Sequence, residues 1–133
     1  MEEISLATQR ATEIVEITAL VQDGVTRSGV REGIVLVYCP HTTAGILINE
    51  RADPAVAKDL LSFLSDLVPE ERPWEHGEGN SPAHVKATLV GTSASVVIET
   101  GRLRLGRWQG IFFAEFDGPR ERQVWVRPLA IAP

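Results

Sequence analysis

The chain has 133 residues, 44% hydrophobic and 23% charged, with one cysteine and a formal net charge of −5 when its three histidines are neutral. That length fits a single domain over residues 1–133, since a domain near this size withdraws roughly two-thirds of its unfolded surface from water. The acidic balance argues against a general polyanion binder, the lone Cys39 rules out an intrachain disulfide and suits a reducing compartment, and no apolar stretch follows Met1-Glu2-Glu3 as a signal peptide would require. The longest apolar runs are about six residues, too short to span a bilayer. A cytoplasmic protein with neither nucleic acid nor membrane as partner is expected.

Ile4 to Gln9 and Glu13 to Ile17 alternate polar and apolar residues and predict two strands of a half-exposed sheet edge. Thr18 is placed to cap a short helix through Leu20, Val21 and Val25 that stops near Gly29. Ile34 to Cys39 is continuously apolar, and its β-branched content between Gly33 and Pro40 predicts a buried strand. His41-Thr42-Thr43-Ala44-Gly45 leads to a second short strand over Ile46 to Ile48.

Asp53-Pro54 pairs a capping residue with a proline at the first helical position. Val56, Leu60, Phe63, Leu64 and Leu67 then recur at helical spacing as far as Pro69, the clearest amphipathic helix in the chain. Glu70 to Gly79 reads as a polar loop. Ser81-Pro82 repeats the cap-plus-proline signal and predicts a helix to Val90, stopped by Gly91. Val96 to Ile98, Leu103 to Leu105, Gly110 to Phe116 and Val124 to Val126 are strand candidates, the last two joined as a hairpin by Asp117-Gly118-Pro119-Arg120. The order of elements predicts an α+β domain of antiparallel, sandwich-like sheets with two main helices.

His41 follows the most apolar strand, His76 lies in the Gly-rich acidic loop, and His84 falls in the first turn of the second main helix. A loop end, a loop and a helix start can converge, and three imidazoles around an open fourth position suit zinc and related metals. No tight H-x-x-x-H spacing is present, so ordinary hydrogen-bonded surface histidines are the competing reading. Among the nearby carboxylates Asp53 is better read as a cap, and Glu78, between Gly77 and Gly79, is the stronger functional candidate, as a general base or as an orienting partner. The Gly79-Asn80-Ser81 backbone ahead of a helix, with Thr42 and Thr43 as neutral donors, suits a phosphate or carboxylate. Arg102 and Arg120 carry guanidinium forks suited to the same anion, whereas Arg104 and Arg107 read equally as surface ion-pair partners. Gln109 offers an amide beside Trp108, itself read as packing, and Cys39 reads as an inert core thiol. No dinucleotide, Walker or serine-hydrolase motif is present.

Three sets of strings resemble the signatures of the YjbQ-like family (UPF0047, also known as secondary thiamine-phosphate synthases). They are Pro-His-Thr-Thr-Ala-Gly (40–45) with Ile-Asn-Glu (48–50) and Asp-Pro (53–54); His-Gly-Glu-Gly-Asn (76–80) with Ala-His (83–84) and Lys-Ala (86–87); and Gly-Arg-Leu-Arg-Leu-Gly-Arg-Trp-Gln-Gly-Ile (101–111) with Glu-Phe-Asp-Gly-Pro-Arg (115–120). The resemblance implies a YjbQ-like α+β sandwich assembled as a homotrimer, with a divalent metal on His41, His76 and His84. Zinc suits three imidazoles, and magnesium is the alternative that diphosphate chemistry favours. It implies a transferase joining a pyrimidine diphosphate to a thiazole phosphate, giving thiamine phosphate and pyrophosphate. Many members carry an acidic residue before the Ala-His pair, where this chain has Pro82.

The expected function is thus a metal-dependent enzyme acting on small phosphorylated metabolites, as that synthase or as a phosphate-ester hydrolase. Glu78, Arg102 and Arg120 are its catalytic candidates, and Thr42, Thr43, Asn49, Glu50, Asn80, Ser81 and Gln109 its substrate-binding ones. The competing expectation is a noncatalytic trimeric module that binds a metal and an anionic metabolite, because every residue named for catalysis also serves binding.

Overall fold

The computed structural model describes residues 1–132. Its elements run β1 (Glu2–Ala7), β2 (Glu13–Glu16), α1 (Thr18–Ser28), β3 (Gly33–Tyr38), β4 (Ala44–Glu50), α2 (Pro54–Leu67), α3 (Ser81–Val90), β5 (Ser93–Glu99), β6 (Arg102–Leu103), β7 (Gln109–Glu115) and β8 (Glu121–Ala130). A five-stranded sheet has the order β1-β8-β3-β5-β6 and a three-stranded sheet the order β2-β7-β4. Every pairing is antiparallel, as the α+β reading expects, and the two predicted edge strands edge different sheets. No described helix is long and apolar enough to cross a membrane.

The helices follow their local signals with two differences in capping. Asp53 caps α2 by accepting the Ala55 N–H at 2.9 Å, and Gly29 ends α1 in the left-handed conformation at φ 76°. Thr18 is not a cap. It is the first residue of α1, and its hydroxyl accepts the Ile111 N–H at 2.9 Å, tying the helix to β7. Ser81 is likewise inside α3 rather than before it, with Asn80 at the N-cap. Helix α1 has 11 residues against 10 in α3, so the fold has three comparable helices rather than two main ones.

The predicted hairpin is absent, although both its strands form. β7 lies between β2 and β4 while β8 lies between β1 and β3, so Asp117 to Arg120 carries the chain from one sheet to the other. The cause is burial. Every residue from Gly110 to Phe116 is buried, which requires a strand on each edge and a layer on each face. Gly118 permits the crossing, since a Cβ there would stand 2.2 Å from the Arg10 carbonyl oxygen.

The main core fills the space between the sheets with Val35, Val37, Val96, Ile98, Val124 and Val126 from one and Ile46, Ile111 and Phe113 from the other, closed by Val21 and Val25 of α1. On the far face of the small sheet, Ala83 and Ala87 of α3 meet Ala114 and Phe116, with Leu61 and Leu64 of α2 packed alongside. β3 is not buried on both faces as its apolar run predicts: Ile34, Leu36 and Tyr38 point outward and are each more than a third exposed. Among the described residues no layer covers that face.

Phe113 is 0% exposed in this core while Phe63 on α2 is 63% exposed. Phe113→Ala should cost about 3–5 kcal/mol, and Phe63→Ala less than about 0.5 kcal/mol. Denaturant unfolding of the two variants measures both, and equal losses would contradict this layering.

Candidate functional site

Four segments meet at one end of the small sheet. The loop after β3 brings Pro40 to Thr43, the loop before α3 brings His76, Glu78 and Asn80, the first turns of α3 bring His84, and the inter-sheet crossing brings Asp117, Arg120 and Arg122. Together they line a cavity of about 430 Å³. Eight residues singled out in the sequence are therefore neighbours: His41, Thr42, Thr43, His76, Glu78, Asn80, His84 and Arg120.

The imidazoles share the cavity without closing on one point. The rings of His76 and His84 stand edge to face, with centroids 5.1 Å apart, and His76 Nε2 lies 3.7 Å from Glu78 Oε2. His41 turns its Nε2 to the Gln123 N–H, which donates to it at 2.8 Å. A neutral imidazole has one lone pair to offer, and on His41 the β8 backbone engages it. Among the described residues no three His, Cys, Asp or Glu side chains stand close enough to share a metal ion, so the tight three-histidine cluster expected from the sequence is not formed here. Burial, then the nearby Arg122 charge, holds the His41 ring below the ordinary histidine value and keeps it neutral.

Beneath the cavity lies a buried ion pair. Arg122 and Glu115 have side chains 4% and 0% exposed. The Arg122 Nε donates to Glu115 Oε1 at 2.8 Å, and its Nη2 donates to Glu115 Oε2 and, at 2.9 Å, to Thr43 Oγ1. Glu115 also accepts from the Thr8 hydroxyl at 2.7 Å and from the Asp117 N–H at 3.0 Å. Burial alone would raise the Glu115 carboxyl. The hydrogen bonds from Arg122, Thr8 and Asp117 together outweigh it and hold the group below the usual carboxylate value.

Asp117 is held in the same way. Burial opposes its charge, but the Asn80 amide, donating at 2.9 Å, and the Arg120 guanidinium, at 3.0 Å, lower its carboxyl on balance. Both cavity arginines are thereby matched by carboxylates, and Glu78 adds a further negative charge. The side-chain charge of this site does not attract a phosphate unaided. Asn80 Oδ1 is buried and has no hydrogen-bond partner among the described residues.

Several sequence candidates lie elsewhere. The β4–β7 register sets Ala44 opposite Glu115 and Glu50 opposite Gln109. Asn49, Glu50 and Gln109 therefore sit at the far end of that ladder, roughly 20 Å from the histidines at strand rise. Arg102 lies with Gln109 in a separate cleft, away from the histidines with which the sequence grouped it. Ser81 is buried and lines a neighbouring cleft behind His76 and His84. Cys39 is buried, and burial pushes its thiol up, as an inert core residue requires.

Residues 2–130 match the family model described as UPF0047 protein YjbQ-like. The chain belongs to the YjbQ-like family. It is 50% identical to a UPF0047 protein of Methanocaldococcus jannaschii over 122 residues, covering 92% of this chain and 88% of that one. It is 45% identical to YugU of Bacillus subtilis over 130 residues, covering 97% and 98%. A solved YjbQ/UPF0047 structure from Clostridium acetobutylicum superposes with a TM-score of 0.95 at 50% identity, covering 97% of this chain and 100% of that one. A YjbQ-like protein of unknown function from Sulfolobus solfataricus superposes at 0.93 with 35% identity, covering 98% and 96%.

In this YjbQ-like chain the reading of single residues missed Thr8, Asp117, Glu115 and Arg122. Glu115 carried a usable signal, because a carboxylate inside the apolar run Ile111 to Phe116 demands a buried cation. Thr8 carried none, since its role depends on the two sheets being assembled.

The low Glu115 carboxyl gives a pH test. A group depressed on folding stabilises above its unfolded value, ordinarily 4.5, and that share is lost as pH falls through the folded value. Glu115→Gln should cost about 3–5 kcal/mol at pH 7, because Arg122 is left buried and unpaired. The gap between wild type and variant should narrow as pH drops below 4.5. Urea unfolding at pH 7 and across the acid range measures it, and a gap independent of pH would contradict the assignment.

Proposed function

We propose that the cavity binds a divalent cation on His76, His84 and His41 and, through it, the phosphate of a small phosphorylated metabolite. The observation that carries this reading is that three imidazoles line one cavity whose two guanidiniums are already matched by carboxylates. The donor set fits a cation: His76 and His84 are in ring contact, Asn80 Oδ1 is an unpartnered acceptor, and Glu78 leaves negative charge in excess. His41 joins by giving up the Gln123 hydrogen bond. Imidazole donors favour zinc over magnesium, which prefers oxygen.

A cation held there supplies charge neutralisation and orientation for phosphate oxygens. The protein's own groups do the rest. Thr42 and the Arg120 N–H groups not engaged by Asp117 line the cavity and orient the anion. Glu78, beside His76 at the open side, is placed to accept a proton from a bound group. A groove of about 600 Å³ shares His41, Thr42 and His84 with the cavity and continues past Ala87 to the stacked pair Tyr38 and Trp125, whose ring centroids are 5.7 Å apart. Its apolar walls suit the ring of a substrate whose phosphate lies in the cavity. A phosphate pocket joined to an aromatic groove supports the thiamine-phosphate synthase chemistry over simple phosphate-ester hydrolysis.

Purified without chelator, the protein should carry bound zinc. Given thiazole phosphate and the pyrimidine diphosphate it should release pyrophosphate, and His84→Ala should lose both metal and release. Metal-dependent ligand binding without turnover would favour a noncatalytic module instead, and a metal-free protein that neither binds nor turns over would overturn both.

Assembly as a homotrimer belongs to the same proposal. Its support is the resemblance, for the number three, and the outward face of the large sheet, where Ile34, Leu36, Val97 and Leu129 are exposed. Contiguous apolar surface of this kind marks an association site. Sedimentation equilibrium should give three times the 14.6 kDa chain mass, and Val97→Arg should reduce it. A wild-type monomer would contradict it.

A further inference from the structure

We propose a second anion-binding site, separate from the histidine cavity, in the cleft between α1 and the segment from Arg102 to Gln109. The cleft holds about 450 Å³ and presents three guanidiniums, those of Arg51, Arg102 and Arg107, against the single carboxylate of Asp23 among its lining residues. Arg51 is matched by Glu16 at 3.0 Å. Arg107 lies against the Trp108 ring, its guanidinium carbon 5.9 Å from the centroid, rather than in the surface ion pair that its sequence suggests, and Arg104 takes that role with Glu99 at 3.5 Å. With Arg51 matched, Arg102 and Arg107 face the one carboxylate of Asp23, a small positive excess in a chain of net charge −5.

The cleft is built rather than draped. The Gln22 side chain clamps the Arg102 segment from both sides, donating to the Gly101 carbonyl at 3.0 Å and accepting the Leu103 N–H at 2.9 Å. The Arg104 N–H donates to the Val97 carbonyl at 2.8 Å. Gln109 closes the turn, its Oε1 accepting the Gly106 N–H at 2.8 Å, and the Arg51 N–H donates to the Trp108 carbonyl at 2.8 Å. Leu103 and Leu105 alternate with these polar groups and pack against the main core. A backbone pinned at so many points fixes where the Arg102 and Arg107 side chains start, while their guanidiniums stay free to close on a ligand. Planar forks on such a frame suit a small multiply charged oxyanion such as phosphate or pyrophosphate, free or as part of a metabolite.

Pyrophosphate is the probe, and His84→Ala the background in which to use it, because that variant disables the first site and leaves this one intact. Calorimetric titration of His84→Ala should show one saturable, salt-sensitive site. Adding Arg102→Ala or Arg107→Ala should each weaken it at least about ten-fold, with circular dichroism confirming the fold, and Arg102→Lys should restore only part. Binding should change the tryptophan fluorescence as Arg107 leaves the Trp108 ring, and Trp108→Phe should remove that change. No binding in the His84→Ala background, as when a second copy covers the cleft, would overturn the proposal. Binding indifferent to both arginine substitutions would overturn it too. Failure of the histidine site alone would show in the metal analysis and leave this titration unchanged.

Discussion

The buried pair of Glu115 and Arg122 is the interaction on which the rest of the architecture turns. Glu115 ends the central strand of the small sheet and Arg122 begins a central strand of the large one. The crossing between them has no ladder of its own, so the pair and its partners do the work that strand pairing does elsewhere. Thr8 follows β1 and Thr43 precedes β4. One carboxylate and one guanidinium therefore gather groups flanking four strands in two sheets.

A buried ion pair is weak evidence for stability, because an apolar pair of equal volume is often as good. Here its value is positional. An apolar replacement would fill the volume but leave the Thr8 and Thr43 hydroxyls and the Asp117 N–H without their present partners. It would also remove the positive charge that, together with burial, keeps His41 neutral. The polar pair thus sets the floor of the cavity and favours the neutral form of the imidazole in one of its walls.

Local elements were legible in the sequence where local physics decides them. The Asp53-Pro54 start, the Gly29 stop and the alternation in β1 need only neighbours along the chain. The three histidines, Glu78 and Asn80 could be grouped because each falls at a loop end or helix start on the same side of the fold. The failures share one cause. Asp117 to Arg120 has every local mark of a hairpin turn, yet the full burial of Gly110 to Phe116 overrode it. Arg102 and Gln109 looked like partners of the histidines, but the antiparallel register of β4 against β7 sends Gln109 to the opposite end, and Arg102 on β6 of the other sheet shares that cleft. Register and sheet membership are long-range properties, and composition carries little of either.

The hydrogen bond from Gln123 to His41 sharpens the question of whether a metal can occupy the cavity. Gln123 follows Arg122 on β8, so the strand that supplies the floor also restrains the third imidazole. Losing one such hydrogen bond costs about 1 kcal/mol net. Structural zinc in small zinc-finger peptides contributes on the order of 10 kcal/mol. The smaller term cannot exclude the larger. What it does is hold His41 in one place, with Nε2 as the acceptor of the β8 backbone N–H.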